Sequence, residues 1–144
     1  MRITVCELPD EQARRDAAWT ELARYLADQP PDVLMLPEMP FVDWAVFMSR
    51  EVDPDTWRQV LDDHDAMILR FTELRADVVL SSRPVETDGQ RFNQGFAWTS
   101  DAGYQGGRSK VYLPDEPDGR EAAWLDRGDL DPSTFGSAFS FGVV

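Results

Sequence analysis

"DVLMLPEM", residues 32–39, is a nearly continuous apolar run that ends on an acidic residue. Apolar residues without polar alternation are the pattern of a strand covered on both faces, and such strands belong to α/β sheets. Upstream, "RITVCEL" (2–8) is a short β-branched run bounded by Pro9 and predicts an opening strand. Between the two, "DEQARRDAAWTELARYLADQ" (10–29) places Ala18, Leu22, Tyr25 and Leu26 at helical spacing among charged residues. That predicts an amphipathic helix, closed by "QPP".

Downstream, Asp53 and Pro54 predict an N-cap followed by proline at the first helical position. Trp57, Val60, Leu61, His64, Met67, Ile68 and Phe71 then trace one face at three- and four-residue steps. "ADVVLSSR" (76–83) reads as another buried strand, and "FNQGFAWTSDAGYQ" (92–105) as a strand, a "DAG" turn and the start of a return strand. The predicted order is β-α-β-α-β-β, an α/β layer in which helices cover a sheet. Right-handed crossovers moving one way across the sheet place the helices near 11–28 and 54–74 on the same face. The chain closes on "STFGSAFSFGVV" (133–144), which reads as the opening of a strand without its continuation.

A chain of 144 residues, 42% of them hydrophobic, suits one domain spanning 1–144. Its 27 acidic against 14 basic residues give a net charge of −13, a field that repels phosphate backbones and anionic lipid, so neither nucleic acid nor a membrane surface is an expected partner. The N-terminal apolar run is too short for a secretory signal, and no stretch approaches the roughly 18 apolar residues of a membrane span. Cys6 is the only cysteine, which excludes an internal disulfide and a multi-cysteine metal site, fits a reducing compartment and makes the cytoplasm the expected location.

Glu38 directly follows "VLMLP" and so stands at the carboxyl end of a buried strand, where open α/β sheets bind ligands. Partial desolvation there would raise its pKa toward the range of a general base; the alternative is a helix-capping or surface carboxylate. Lys110 is the only lysine beside thirteen arginines, and is either a solvated surface residue or a compact ammonium aimed at an oxyanion. His64, the only histidine, lies on the apolar stripe of the second helix and reads as a core or boundary residue rather than a catalyst. Cys6 reads as a small buried hydrophobe, with no neighbour to activate a thiolate.

Taken together and in order, "LMLPEMPF" (34–41), "GRSKVYLP" (107–114) and "EAAWLDRGD" (121–129) resemble the nitrilase, or carbon–nitrogen hydrolase, superfamily over the whole chain. Pro37 and Glu38 match the family's Pro-Glu pair. Lys110, Leu113 and Pro114 match its K-x-H-L-P motif. Glu121, Trp124, Gly128 and Asp129 match a glutamate ahead of an aromatic residue and a Gly-Asp pair. Asn93 and Gly103 look like the asparagine-bearing strand and turn before the lysine. Tyr112 departs from the pattern, standing where the family has histidine, and the strand that leads to the family's nucleophilic cysteine corresponds to "FSFGVV", where this sequence ends.

The resemblance implies the N-terminal portion of a nitrilase-like α-β-β-α sandwich that forms a homo-oligomer and acts on a small-molecule amide or nitrile without metal or organic cofactor. It implies a Glu-Lys-Cys mechanism in which Glu38 relays protons, Lys110 stabilises the oxyanion and Glu121 orients or assists Lys110. These 144 residues supply the glutamates and the lysine but no suitable cysteine, so the chain alone is expected to be inactive. The rival expectation is a non-catalytic nitrilase-like module that associates through an exposed sheet edge.

Overall fold

The computed structural model describes residues 1–116, 120–130, 134–135 and 141–142. Ile3–Val5 (β1) leads into Gln12–Asp28 (α1), and the chain returns as Val33–Met35 (β2), parallel to β1. A second crossover contains the 3₁₀ turn Trp44–Met48, the helix Pro54–Ile68 (α2) and the 3₁₀ turn Phe71–Leu74, and returns as Val78–Thr87 (β3), parallel to β2. Gln90–Thr99 (β4) and Gly103–Ser109 (β5) follow antiparallel, which completes a five-stranded sheet in the order β1-β2-β3-β4-β5. The short helix Glu121–Trp124 (α3) and an antiparallel pair, Thr134–Phe135 (β6) with Phe141–Gly142 (β7), come last. The rest of the stretch 133–144, read as an opening strand, lies outside the described residues.

β3 runs beyond the expected end at Arg83, straight through Pro84. Its pairing with β2 stops at Leu80, so farther along β3 has only β4 as a neighbour, and a residue with no N–H is tolerated at such an edge. The β3–β4 turn uses Asp88 and Gly89, both with positive φ (53° and 76°), as a two-residue hairpin turn requires.

Both crossover helices pack on one face of the sheet, as their one-directional order predicts. Trp19 and Leu26 of α1 meet Phe71 and Leu74, and all four rest on Leu34, Val79, Phe96 and Trp98 of the strands. Trp19 stacks on Phe71 at 5.8 Å and Phe71 on Phe96 at 6.0 Å, adding aromatic geometry to the apolar burial. The inner face of α1 differs from the expected one: Arg15, Trp19 and Leu26 are buried, whereas Tyr25 is 52% exposed. The helix is turned so that an arginine points inward.

On the opposite face Val33, Val78 and Ala97 form a small cluster, and Ile3, Val5 and Met35 are exposed. The cover expected on both faces of "DVLMLPEM" is therefore present on one among the described residues, which comprise a helix layer and the first sheet of the sandwich. No described helix is long and apolar enough to cross a membrane.

α2 begins as its sequence predicts, with the Asp53 carboxylate accepting from the Thr56 N–H at 2.8 Å. His64 is 1% exposed, its Nδ1 bonded to the Val60 carbonyl at 2.8 Å and its buried Nε2 without a partner among the described residues. Burial pushes its pKa down to about 3, with Arg83 and Arg15 adding to the effect. A base depressed in the folded state contributes stability above its unfolded pKa of about 6.5, and loses it as pH falls from there toward the folded value. Lowering the pH from 7 to 5 should therefore cost about 2 kcal/mol through this one group. In urea titrations at the two pH values, His64→Leu is expected to lose that much less stability than the wild type.

Candidate active site

Glu38 is carried by the turn that leaves β2. The ladder continues one bond past the strand, from the Leu36 N–H to the Leu80 carbonyl at 2.9 Å. The hydroxyl of Ser81 then donates to the Pro37 carbonyl at 2.7 Å, and that of Ser82 accepts from the Met39 N–H at 3.2 Å. Met39 has φ 38°, a left-handed conformation that costs a side-chain-bearing residue roughly 1–2 kcal/mol. Its side chain, fully buried with Val42, Phe47 and Trp57, holds it there.

Lys110 follows β5 directly. Its N–H donates to the Asn93 carbonyl at 2.8 Å, and its carbonyl accepts from the Gly128 N–H at 2.9 Å. A Cβ at position 128 would land on the Ser109 carbonyl, so only glycine lets the chain approach β5 this closely. Glu121 opens α3, which docks through Arg120 N–H to Phe47 O at 3.2 Å, Ala122 N–H to Pro114 O at 3.1 Å and Trp124 Nε1–H to Ser49 O at 2.7 Å. Leu113, Trp124 and Leu125 pack with Phe47 beneath it.

These three segments meet at the Lys110 ammonium. Nζ lies 2.8 Å from Glu38 Oε1, 3.0 Å from Glu121 Oε2 and 3.2 Å from Glu121 Oε1, across chain separations of 72 and 11 residues. The burial expected of Glu38 falls instead on Glu121: the side chains are 44% and 7% exposed, respectively. Desolvation raises the Glu121 pKa, against the bond and charge of Lys110, which lower it. For Lys110 desolvation lowers the pKa, but its hydrogen bonds and attraction to both glutamates outweigh this and leave it above the ordinary lysine value. The three N–H donors of the ammonium face three carboxylate oxygens, one of Glu38 and two of Glu121.

Asn93, given no role from the sequence, belongs to this cluster. It is 2% exposed, and its Nδ2 donates to Glu38 Oε1 at 2.6 Å while Oδ1 has no partner among the described residues. The available signal was its place in "FNQGF", the motif-like strand ahead of the lysine. His64 and Cys6 lie elsewhere. The Cys6 Sγ faces the Met35 carbonyl at 3.8 Å, packs against the Trp19 cluster and has its pKa pushed up to about 11 by burial. Tyr112 is 69% exposed. A cavity of about 450 Å³ opens beside Glu121, walled mainly by Trp44, Phe47, Met48 and Pro114.

Since Lys110 is the sole lysine, its side-chain NMR signal is unique, and it should titrate above a free lysine. Glu38→Gln and Glu121→Gln should each lower that midpoint, because each removes one of the charges that outweigh desolvation. Stability from this group is present below the unfolded lysine pKa and lost as pH rises through the folded one. The titration, read on all three proteins, checks the cluster in solution.

No protein-family model matches the chain, and no curated protein sequence matches it. Solved structures do. A carbon–nitrogen hydrolase from Helicobacter pylori G27 superimposes with a TM-score of 0.69 at 17% identity over 92% of this chain and 46% of its own. An amidase from Nesterenkonia sp. gives a TM-score of 0.64 at 20% identity over 95% and 51%, and mutants of that amidase have been solved in complex with acrylamide and with butyramide. A glutamine-dependent NAD(+) synthetase from Cytophaga hutchinsonii gives 0.64 at 14% identity over 99% and 24%. The chain thus has the nitrilase-like α/β fold of these carbon–nitrogen hydrolases and spans about half the length of the first two.

Proposed function

We propose that this chain is the N-terminal part of a carbon–nitrogen hydrolase domain and supplies the proton-transfer and charge-stabilising groups for cleavage of a small amide or nitrile. The observation that carries the reading is the Lys110 ammonium bonded to both Glu38 and Glu121. In this mechanism Glu38 takes the proton of a thiol from outside these 144 residues, the thiolate attacks the amide carbon, and the Lys110 ammonium turns one N–H from a carboxylate oxygen to the oxyanion. Protonated Glu38 hands its proton to the leaving amine and leaves a thioester. Glu38 then takes a proton from water, which attacks the thioester, releases the acid and regenerates the thiol. Glu121, the more buried carboxylate, orients Lys110.

Cys6 is not the nucleophile of this proposal: its thiol is held protonated by burial and packed at the end of β1. The cavity beside Glu121 suits a small apolar acyl group. We assign the cytoplasm as the compartment, where a lone thiol stays reduced, and association as a homo-oligomer. The rival reading, a non-catalytic module that associates through its sheet, draws on the exposed Ile3, Val5 and Met35.

Butyramide titrated into the chain should shift the Lys110 side-chain signal saturably, and Glu38→Gln should weaken the response about tenfold or more, the size of effect a lost charged hydrogen bond produces. Absence of any response in the wild type would favour the non-catalytic module. Intact-mass measurement after incubation with an electrophilic nitrile should find Cys6 unmodified. An adduct on Cys6 that disappears in Glu38→Gln would identify it as the nucleophile and the chain as a complete catalyst.

A further inference from the structure

Arg15 reaches inward from α1 and is 6% exposed. Its Nη1 donates to two main-chain carbonyls, Pro40 O at 3.3 Å and Val42 O at 3.2 Å. Burial pulls the guanidinium pKa down, opposed by the charges of Asp63, Asp10, Asp16 and Asp43, and an arginine stays protonated in either case. A fork suited to carboxylates and phosphates is here spent on the backbone that follows Glu38.

That backbone is anchored at every residue around Glu38. Ser81 holds Pro37, Ser82 holds Met39, and Arg15 holds Pro40 and Val42. Phe41, between the two clamped carbonyls, is wedged against Trp19 at 5.8 Å and His64 at 5.3 Å. The left-handed Met39 sits between Glu38 and the Arg15 clamp. If the two buried carbonyls lost their donor, the loop would have to rotate them toward water, and the strained Met39 is the dihedral that gains most from turning. Rotation at Met39 turns the peptide that carries Glu38.

We propose that Arg15 is a positioning residue that, from the far side of the loop, fixes the Glu38 carboxylate against Lys110 and Asn93. The proposal rests on the reading of Glu38 as the proton-relaying group, and it assigns a function to the one buried cation of α1. Arg15 touches neither substrate nor reacting atoms; it acts through the loop.

The pH midpoint of the sole lysine reports whether Glu38 is in place, and a general loss of stability does not reproduce that signature. Arg15→Met keeps the aliphatic stem and removes the donors; its Lys110 midpoint should fall by at least half the drop seen in Glu38→Gln. Arg15→Lys, which restores a cationic donor, should recover most of it. A folded Arg15→Met protein with the wild-type midpoint overturns the proposal. Should Arg15→Met not fold, Arg15→Gln carries the comparison, and a midpoint equal to those of Arg15→Lys and the wild type overturns it equally. No substrate enters this measurement, so failure of butyramide to bind the wild type would count against the hydrolase reading without deciding the role of Arg15.

Discussion

One ammonium joins the segments that carry Glu38, Lys110 and Glu121 at a single point. Glu121 is nearly buried, and a carboxylate in that position without a partner would be strongly disfavoured; Lys110 supplies the opposite charge at 3.0 Å. Removing one partner of a buried ion pair costs about 3–5 kcal/mol, because the charge left behind has no water to turn to. The same ammonium neutralises Glu38, and Asn93 spreads the remaining charge by donating to the oxygen that Lys110 also holds. Hydrogen bonds to the two carboxylates, and their charges, outweigh desolvation and raise the lysine pKa.

The supports of the cluster differ in kind. Lys110 and Asn93 are tied to the β4–β5 pair by main-chain hydrogen bonds. Glu38 and Glu121 ride on irregular segments, where each position depends on a few side-chain bonds: Ser81 and Ser82 for the first, Trp124 and the packing of Leu113 and Leu125 for the second. Positioning on rigid elements is the more accurate of the two. The loops reach comparable order only because buried polar groups, Arg15 among them, leave their carbonyls and amides no better partners.

Sequence pattern revealed what periodicity controls. The two crossover helices, the buried strands and the Asp53 cap were legible because each rests on local spacing or local hydrogen bonding. The inner face of α1 was legible in part: Leu26 is buried and Leu22 packs on the core, whereas Arg15 breaks the usual equation of charge with solvent and Tyr25 faces outward. The run through Pro84 was hidden as well: a proline argues against a strand until it is known which edge lacks a partner. Glu38, Lys110 and Glu121 could be picked out together only through their order along the chain, as spacings of 72 and 11 residues carry no periodic signal. Asn93 stood in plain view in "FNQGF", but its role depends on a register between β4 and the residue after β5 that pattern does not encode.

Exposure separates the two carboxylates more than sequence does. In the proposed chemistry a proton relay must exchange with water, and Glu38, 44% exposed, does so more readily than Glu121 at 7%. Glu121 instead brings both of its oxygens to the ammonium, which holds Lys110 in place. An electrostatic stabiliser is effective only when its dipole is set before charge develops, so in the proposed chemistry the buried glutamate supplies orientation and the exposed one reactivity. In a chain otherwise served by arginine, position 110 carries a compact ammonium that faces both carboxylates at once.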